Sequence, residues 1–265
     1  MRNVSLDAIL TATRDRVAGL RPLARDLERR AAAAPTAPAF ARALAGRTVG
    51  VIAEVKRRSP SAGTIHADLD PVAHAQGYAR GGAAAISVLT DELHFGGSLD
   101  DLARVAGAVQ VPVLRKDFIL DELQLLEARA AGASGVLLIV RALAPDRLRA
   151  LAGAALGQGL GILVEVHSAA ELELALGVGP TAVGVNSRDL ATFTVDLERA
   201  EGLVAQVPAS VPAIAESGIE TRADVERLAA AGADLVLVGT SVARTSDPEA
   251  AVRALTGVRR QGRGR

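Results

Sequence analysis

Two lysines stand in a chain that otherwise uses arginine for every fixed cation. Of the 30 basic residues, 28 are arginine and only Lys56 and Lys116 are lysine. Each closes a short apolar run, VGVIAEVK and VPVLRK. A guanidinium stays charged in any surroundings, whereas a buried ammonium can give up its proton and act as acid or base. Glu54 lies two residues before Lys56, on the same face of an extended strand. Glu165 interrupts another apolar run, GILVEV, with His167 two residues further on. A carboxylate isolated among apolar neighbours is costly or is driven to hold its proton, which makes it a candidate acid or base. The expectation is a set of proton-transfer groups, with Glu54 beside Lys56 and Glu165 standing alone in its run.

Other apolar runs also end in polar residues: Lys116-Asp117-Phe118, Asn186-Ser187-Arg188-Asp189, Glu216-Ser217-Gly218 and Gly239-Thr240-Ser241. Plainer readings exist for several of these. Glu54 with Lys56 suits a structural ion pair, Arg57 and Arg58 a surface patch, and His167 an ordinary loop. The four histidines are scattered without an H-x-x-x-H spacing, so the expectation is no metal site.

Such residues need elements that bring distant strand ends together. Eight apolar runs recur, at 49–55, 83–89, 111–115, 134–140, 161–166, 181–186, 211–217 and 234–239. They are rich in Val, Ile and Leu and mostly do not alternate, as in parallel strands buried on both faces. Helical segments lie between them. Asp70-Pro71 and Asp247-Pro248 place a cap before a first-turn proline, and Ser98, Ser168 and Thr221 open capping boxes or close variants. Gly82, Gly132 and Gly232, each followed by Ala, stop a helix before the next strand.

Eight strands alternating with helices predict an α/β fold, a (β/α)8 TIM barrel. An open doubly wound sheet is the alternative, weakened by the lack of a G-x-G-x-x-G after the first strand. In a barrel, catalytic groups gather at the C-terminal strand ends, and the loops after strands seven and eight often bind phosphate. Here those loops carry Ser217, Gly218, Gly239 and Thr240.

The chain of 265 residues forms one barrel domain in this reading. Residues 1–45 are a helical extension packed on it, broken around Arg21-Pro22 and at Pro35 and Pro38. Residues 258–265 are a basic, frayed tail. Balanced charge, with 30 acidic and 30 basic residues, gives no pull toward nucleic acid or membrane. The absence of cysteine excludes disulfides and thiolate catalysis. With no apolar leader and no long apolar span, a soluble, cytoplasmic protein is expected.

The stretches VIAEVKRRSPSAG, SVLTDELHFGGS, VPVLRKDFILDELQLLEARAAGAS, LVEVHSAAEL, VGVNSRDL and AIAESGIETRADVERLAAAGADLVLVGTS together resemble the indole-3-glycerol phosphate synthase family of tryptophan biosynthesis. The match runs from about Val49 to Arg253. It implies a monofunctional carboxy-lyase that needs no cofactor and acts on a small phosphosugar–anthranilate substrate, 1-(2-carboxyphenylamino)-1-deoxyribulose 5-phosphate. Carried over by motif, Lys56 and Lys116 supply the acid and cation functions, and Glu165, the counterpart across from Lys116, is the partner acid/base of dehydration. Glu54 holds Lys56 and the sugar hydroxyls. Asn186, Ser59 and Arg188 meet the anthranilate end or orient the catalytic groups, and Glu216 shapes the sugar site. Ser217, Gly218, Gly239 and Thr240 hold the phosphate, while Phe118, Phe95, Leu89 and Leu137 line the aromatic slot. Ala62, His94 and Thr240 stand where many members have Lys, Phe and Ser. Which lysine serves closure and which dehydration stays open. A phosphoribosylanthranilate isomerase and a non-catalytic phosphate-binding barrel are the rival readings. A monomer, with contacts to other tryptophan-pathway enzymes as a further option, is the partner expectation.

Overall fold

The apolar runs form eight parallel strands, β1 (Gly50–Val55), β2 (Ala85–Leu89), β3 (Val113–Lys116), β4 (Gly135–Ile139), β5 (Gly161–Val166), β6 (Ala182–Asn186), β7 (Ala213–Glu216) and β8 (Leu235–Val238). Each pairs with the next in sequence, and β8 returns to β1 to close a barrel. Representative register pairs are Ile52 with Ala85 and Gly50 with Leu235. The computed structural model describes residues 5–189 and 192–263. Leu190 of the VGVNSRDL stretch, Met1–Val4 of the extension and Gly264–Arg265 of the tail lie outside the described residues.

The two-residue alternation of each strand sorts its side chains into two cores. Val51, Ala53, Val88, Val136, Val164, Val183 and Val236 belong to the layer between barrel and helices. Ile52, Leu114, Leu137, Leu163, Ile214 and Leu235 fill the barrel interior. The polar residues continue the interior set: Glu54 follows Ile52, Lys116 follows Leu114, Glu165 follows Leu163 and Glu216 follows Ile214. The period that packs the core therefore also aims these groups into the mouth.

The helices begin where their caps place them. Asp70 accepts from Val72 and Ala73 ahead of the helix Pro71–Arg80, and Thr221 with Asp224 forms a full capping box. Gly82, Gly132 and Gly232 all take positive φ at the turn into the following strand, as expected.

The N-terminal extension comprises α1 (Leu6–Leu20) and α2 (Ala24–Ala33), with Pro22 in the single 3-10 turn between them. Arg129 donates to the carbonyls of Pro35 and Ala34 at 2.7 and 2.9 Å, tying the chain after α2 to the barrel wall. The extension then places Phe40, 2% exposed, under the barrel interior. A Cβ on Gly161 would stand 2.6 Å from the Phe40 Cβ, so glycine at the start of β5 is what admits the ring.

The tail departs from expectation over its described residues. Arg259 bridges Thr48 in antiparallel fashion, and the Arg260 backbone donates to Arg47 O at 3.0 Å. Arg263 donates to Val211 O at 2.7 Å and pairs with Asp234 at 2.8 Å. A run of basic residues reads as solvated because sequence does not display the carbonyls waiting at the strand starts.

Phe40 closes the barrel end without covalent help, and its deletion leaves a cavity that flanking strands cannot collapse into. Phe40→Ala is expected to lower the unfolding free energy by about 3–5 kcal/mol, measured by urea denaturation.

Candidate active site

The interior polar residues converge at the C-terminal end of the barrel. Glu54 sits between the two lysines, with Oε1 2.9 Å from Lys56 Nζ and Oε2 3.5 Å from Lys116 Nζ. Lys116 Nζ also lies 3.4 Å from Glu216 Oε2. Glu54, Glu165 and Glu216 are all at most 3% exposed. Lys116 thus packs its ammonium against the carboxyl groups of Glu54 and Glu216. The expected direct partner, Glu165, acts on it only through its charge. Alternation along a strand assigns a face but not a neighbour across the barrel.

The electrostatics follow from counting charges. Three carboxyls and two ammonium groups share one buried space, so full ionisation would leave an excess negative charge. Burial opposes charge on Lys116, but the carboxylates of Glu54, Glu216 and Glu165 hold its pKa well above the lysine range. Burial would raise Glu54; the adjacent Lys56 and Lys116 overcome that and bring it down to about 2. Glu216 goes the other way. Burial, with the charges of Glu165 and Glu54, outweighs Lys116 and pushes it up to about 8, so it holds the proton that balances the cluster.

Two glycines leave room for this arrangement. A Cβ on Gly239 would stand 2.5 Å from Glu54 Oε1 and 2.7 Å from Lys56 Nζ. One on Gly184 would collide with Glu216 Oε1. Gly239, expected only as a phosphate residue, is also a structural condition for the Glu54–Lys56 pair.

The remaining candidates line the same cavity of about 300 Å³. Phe95 and Phe118 face each other with ring centroids 6.3 Å apart, beside Leu89 and Leu137. Ser59 Oγ accepts from the Ala62 backbone at 3.1 Å, shaping the loop after β1. Asn186 Oδ1 accepts from the Arg188 backbone at 3.0 Å, and Arg188 Nη1 donates to Phe193 O at 3.0 Å. At the opposite wall Ser217 and Gly218 both have positive φ, turning backbone toward the cavity. Ser187 Oγ is 3.0 Å from both Glu216 O and Ser217 O, bracing that turn. Ser241 Oγ donates to Ile219 O at 3.1 Å, joining the loops after β7 and β8. Thr240 begins a single helical turn, Thr240–Ala243.

Sequence reasoning overlooked Ser61, Ile139, Phe193, Leu237 and Arg244, which also line the cavity. Ile139 and Leu237 were reachable, since each continues the interior alternation of its strand. Phe193 was not, because its place depends on a loop that turns through positive φ. The supporting shell was missed as well. Arg115 is fully buried on the outer face of β3 and reaches Asp117 at 2.9 Å, Glu127 at 3.1 Å and Gln124 O at 2.6 Å. Arg16 of α1 joins Asp117 at 2.9 Å. Both neighbours of Lys116 in sequence are thereby locked. Of Arg57 and Arg58, expected to form a surface patch, Arg58 is exposed and donates to Glu92 O and Leu93 O, while half-buried Arg57 pairs with Asp101.

A family model described as Indole-3-glycerol phosphate synthase matches residues 6–255. The indole-3-glycerol phosphate synthase 2 of Streptomyces coelicolor is 48% identical over 227 residues, which are 86% of this chain and 88% of that one. The indole-3-glycerol phosphate synthase of Mycobacterium avium is 46% identical over 252 residues, 94% of this chain and 93% of that one. Likeness to solved structures is at the level of fold. Thiamine phosphate pyrophosphorylase from Pyrococcus furiosus gives a TM-score of 0.59 at 18% identity, over 82% of this chain and 95% of its own. The 3-hexulose-6-phosphate synthase of Salmonella typhimurium gives 0.60 at 16% identity, over 78% and 96%.

The shifted carboxyls make opposite contributions to stability. The Glu216 proton is held more tightly in the folded chain, so its contribution is complete below the ordinary value of 4.5 and is lost as pH rises through about 8. The contribution of Glu54 is present above 4.5 and is lost as pH falls toward 2. In ¹³C NMR of carboxyl-labelled glutamate, one resonance is expected to titrate near pH 8 and to vanish in Glu216→Gln. A spectrum in which every glutamate finishes titrating by about pH 6 contradicts this assignment.

Proposed function

The chain belongs to the indole-3-glycerol phosphate synthase family, and on that premise we propose how its barrel mouth performs the ring closure. The activity is that of a carboxy-lyase, with 1-(2-carboxyphenylamino)-1-deoxyribulose 5-phosphate as substrate. The observation that carries the assignment of roles is the pair of ammonium groups bracketing Glu54 in one cavity, between an aromatic wall and the paired β7 and β8 loops.

In this reading the phosphate lies on the backbone of Ser217, Gly218, Gly239 and Thr240, where N–H groups and hydroxyls suit an anion. The anthranilate ring enters the slot of Phe95, Phe118, Leu89 and Leu137. Its carboxylate approaches Ser59, Asn186 and Arg188. Burial lowers the pKa of Arg188, so an anion arriving there favours its charged form. This pose sets the substrate ketone over the Lys56–Glu54–Lys116 cluster.

Ring closure joins the ring carbon bearing the carboxylate to the ketone carbon. The carbonyl electrons move to oxygen, which takes a proton from one ammonium group. A lysine held by several carboxylates is a reluctant acid, yet an alkoxide is a stronger base still, so the transfer runs downhill. The bond to the carboxylate then breaks, its electrons restore the aromatic ring, and carbon dioxide leaves. For dehydration, Glu165 removes a proton from the methylene carbon beside nitrogen. The carbon–oxygen bond breaks as the hydroxyl accepts a second proton and departs as water. Glu54 holds the two ammonium groups at working distance, and Glu216 binds the sugar hydroxyls while steadying Lys116. Two protons are given and one is taken, so each turnover draws one proton from solvent. A monomer acting in the cytoplasm belongs to the same proposal.

Purified protein incubated with the carboxyphenylamino substrate and no added metal is expected to generate indole absorbance; phosphoribosylanthranilate in the same assay is expected to give no isomerisation. Lys116→Arg keeps the charge but loses the donor geometry and acidity of an ammonium. It is expected to fold and to lose about 10²- to 10⁴-fold in kcat. Near-normal turnover in that variant removes Lys116 from the chemistry.

A further inference from the structure

The proton balance above leaves Glu165 protonated after each dehydration, so it must release that proton before the next cycle. On its other side lies a buried residue that the mechanism does not use. His167 continues the inward face of β5, and its side chain is wholly shielded from solvent. Its Nε2 stands 3.6 Å from Glu165 Oε1, and its Nδ1 3.4 Å from Glu171 Oε2. Neither ring nitrogen makes a hydrogen bond. A buried imidazole facing a carboxylate at each edge, and nothing else, is not an ordinary packing residue.

The outer carboxylate is itself fixed. Glu171 lies in the first turn of the helix Ala169–Leu176, whose N-cap Ser168 accepts from the Glu171 backbone at 3.3 Å. Glu171 Oε2 accepts from the His167 backbone at 2.7 Å. Its Oε1 accepts from Arg141 Nε and Nη2 at 3.2 and 3.0 Å. Glu171 and Arg141 are partly open to solvent, at 17% and 25% side-chain exposure. The line Glu165–His167–Glu171–Arg141 therefore runs from the cavity to the rim of the β4 and β5 loops.

We propose that His167 is a positioning residue for Glu165, clamped by the Glu171–Arg141 pair so that its Nε2–H faces the Glu165 carboxylate. The donor holds the carboxylate toward the substrate methylene. It also favours the ionised form, so that Glu165 releases its proton after dehydration and is ready for the next cycle. This inference rests on the reading of Glu165 as the dehydration base. The charged groups around the two residues are Glu171 and, behind it, Arg141 on the outer side, and Lys116 and Glu216 with Glu54 and Lys56 on the inner side.

The test compares kcat–pH profiles of wild type, His167→Phe and His167→Gln. His167→Phe keeps the ring volume and removes the donor. It is expected to lower kcat roughly 10- to 100-fold with little change in KM, and to move the acid limb of the kcat profile to higher pH. His167→Gln restores one donor and is expected to recover part of both. A folded His167→Phe protein with wild-type kcat and an unmoved limb overturns the proposal. Should that variant not fold, ¹⁵N NMR of histidine-labelled protein decides the matter. Glu165→Gln is expected to shift one imidazole nitrogen resonance, and no shift overturns the proposal. Full turnover in Glu165→Gln instead sinks the reading of Glu165 as base, whatever the imidazole does.

Discussion

Charge balance in a closed space governs this molecule. Two ammonium groups and three carboxyls meet where eight strands end, and water is excluded from most of them. Buried charges are tolerated only when each faces an opposite charge at close range. Glu54 answers both lysines, and Glu216, beside Lys116, keeps its proton. Much else is fitted around that cluster. Gly184 and Gly239 have no side chain because a Cβ at either place would occupy the position of a cluster atom.

The division of labour between lysine and arginine has a structural counterpart. Along β3 consecutive residues point to opposite sides of the barrel wall. On the outer side Arg115 fans its guanidinium over Thr90, Asp117, Gln124 and Glu127, a fixed task that rewards a rigid, permanently charged fork. On the inner side Lys116 presents a compact ammonium that can approach carboxylates and part with a proton. One residue step separates scaffold from chemistry, and Arg16 connects the N-terminal helix to the scaffold side.

Much of this was legible in the sequence because two periods carry it. Unbroken apolar runs marked the eight strands, and the two-residue alternation within each run selected the inward polar residues. The site residues taken from these runs, and those added by the family resemblance, border the same cavity. What escaped was information about neighbours across the barrel or beyond a loop. The pairing of Lys116 with Glu216 depends on barrel stagger, which no local pattern records. His167 does lie in the bend just past β5, as expected, but its contacts were not legible because Glu171, its outer partner, belongs to the next helix. The basic tail looked unattached because most of its acceptors are main-chain carbonyls, identical at every position in a sequence, and the one carboxylate, Asp234, is distant in the chain.

The ring of Phe40 beneath the barrel also bears on the order in which the chain acquires its structure. Arg129 grips the chain near Phe40 across 94 and 95 residues of sequence, and the ring rests against glycines that open β4 and β5. Phe40 is made well before the strands it rests on, and the surface it closes does not exist until the fifth strand has been made. Contacts of such sequence separation form late and set the pace of folding. The segment around Phe40 thus waits for strands made long after it before its ring has a place to pack.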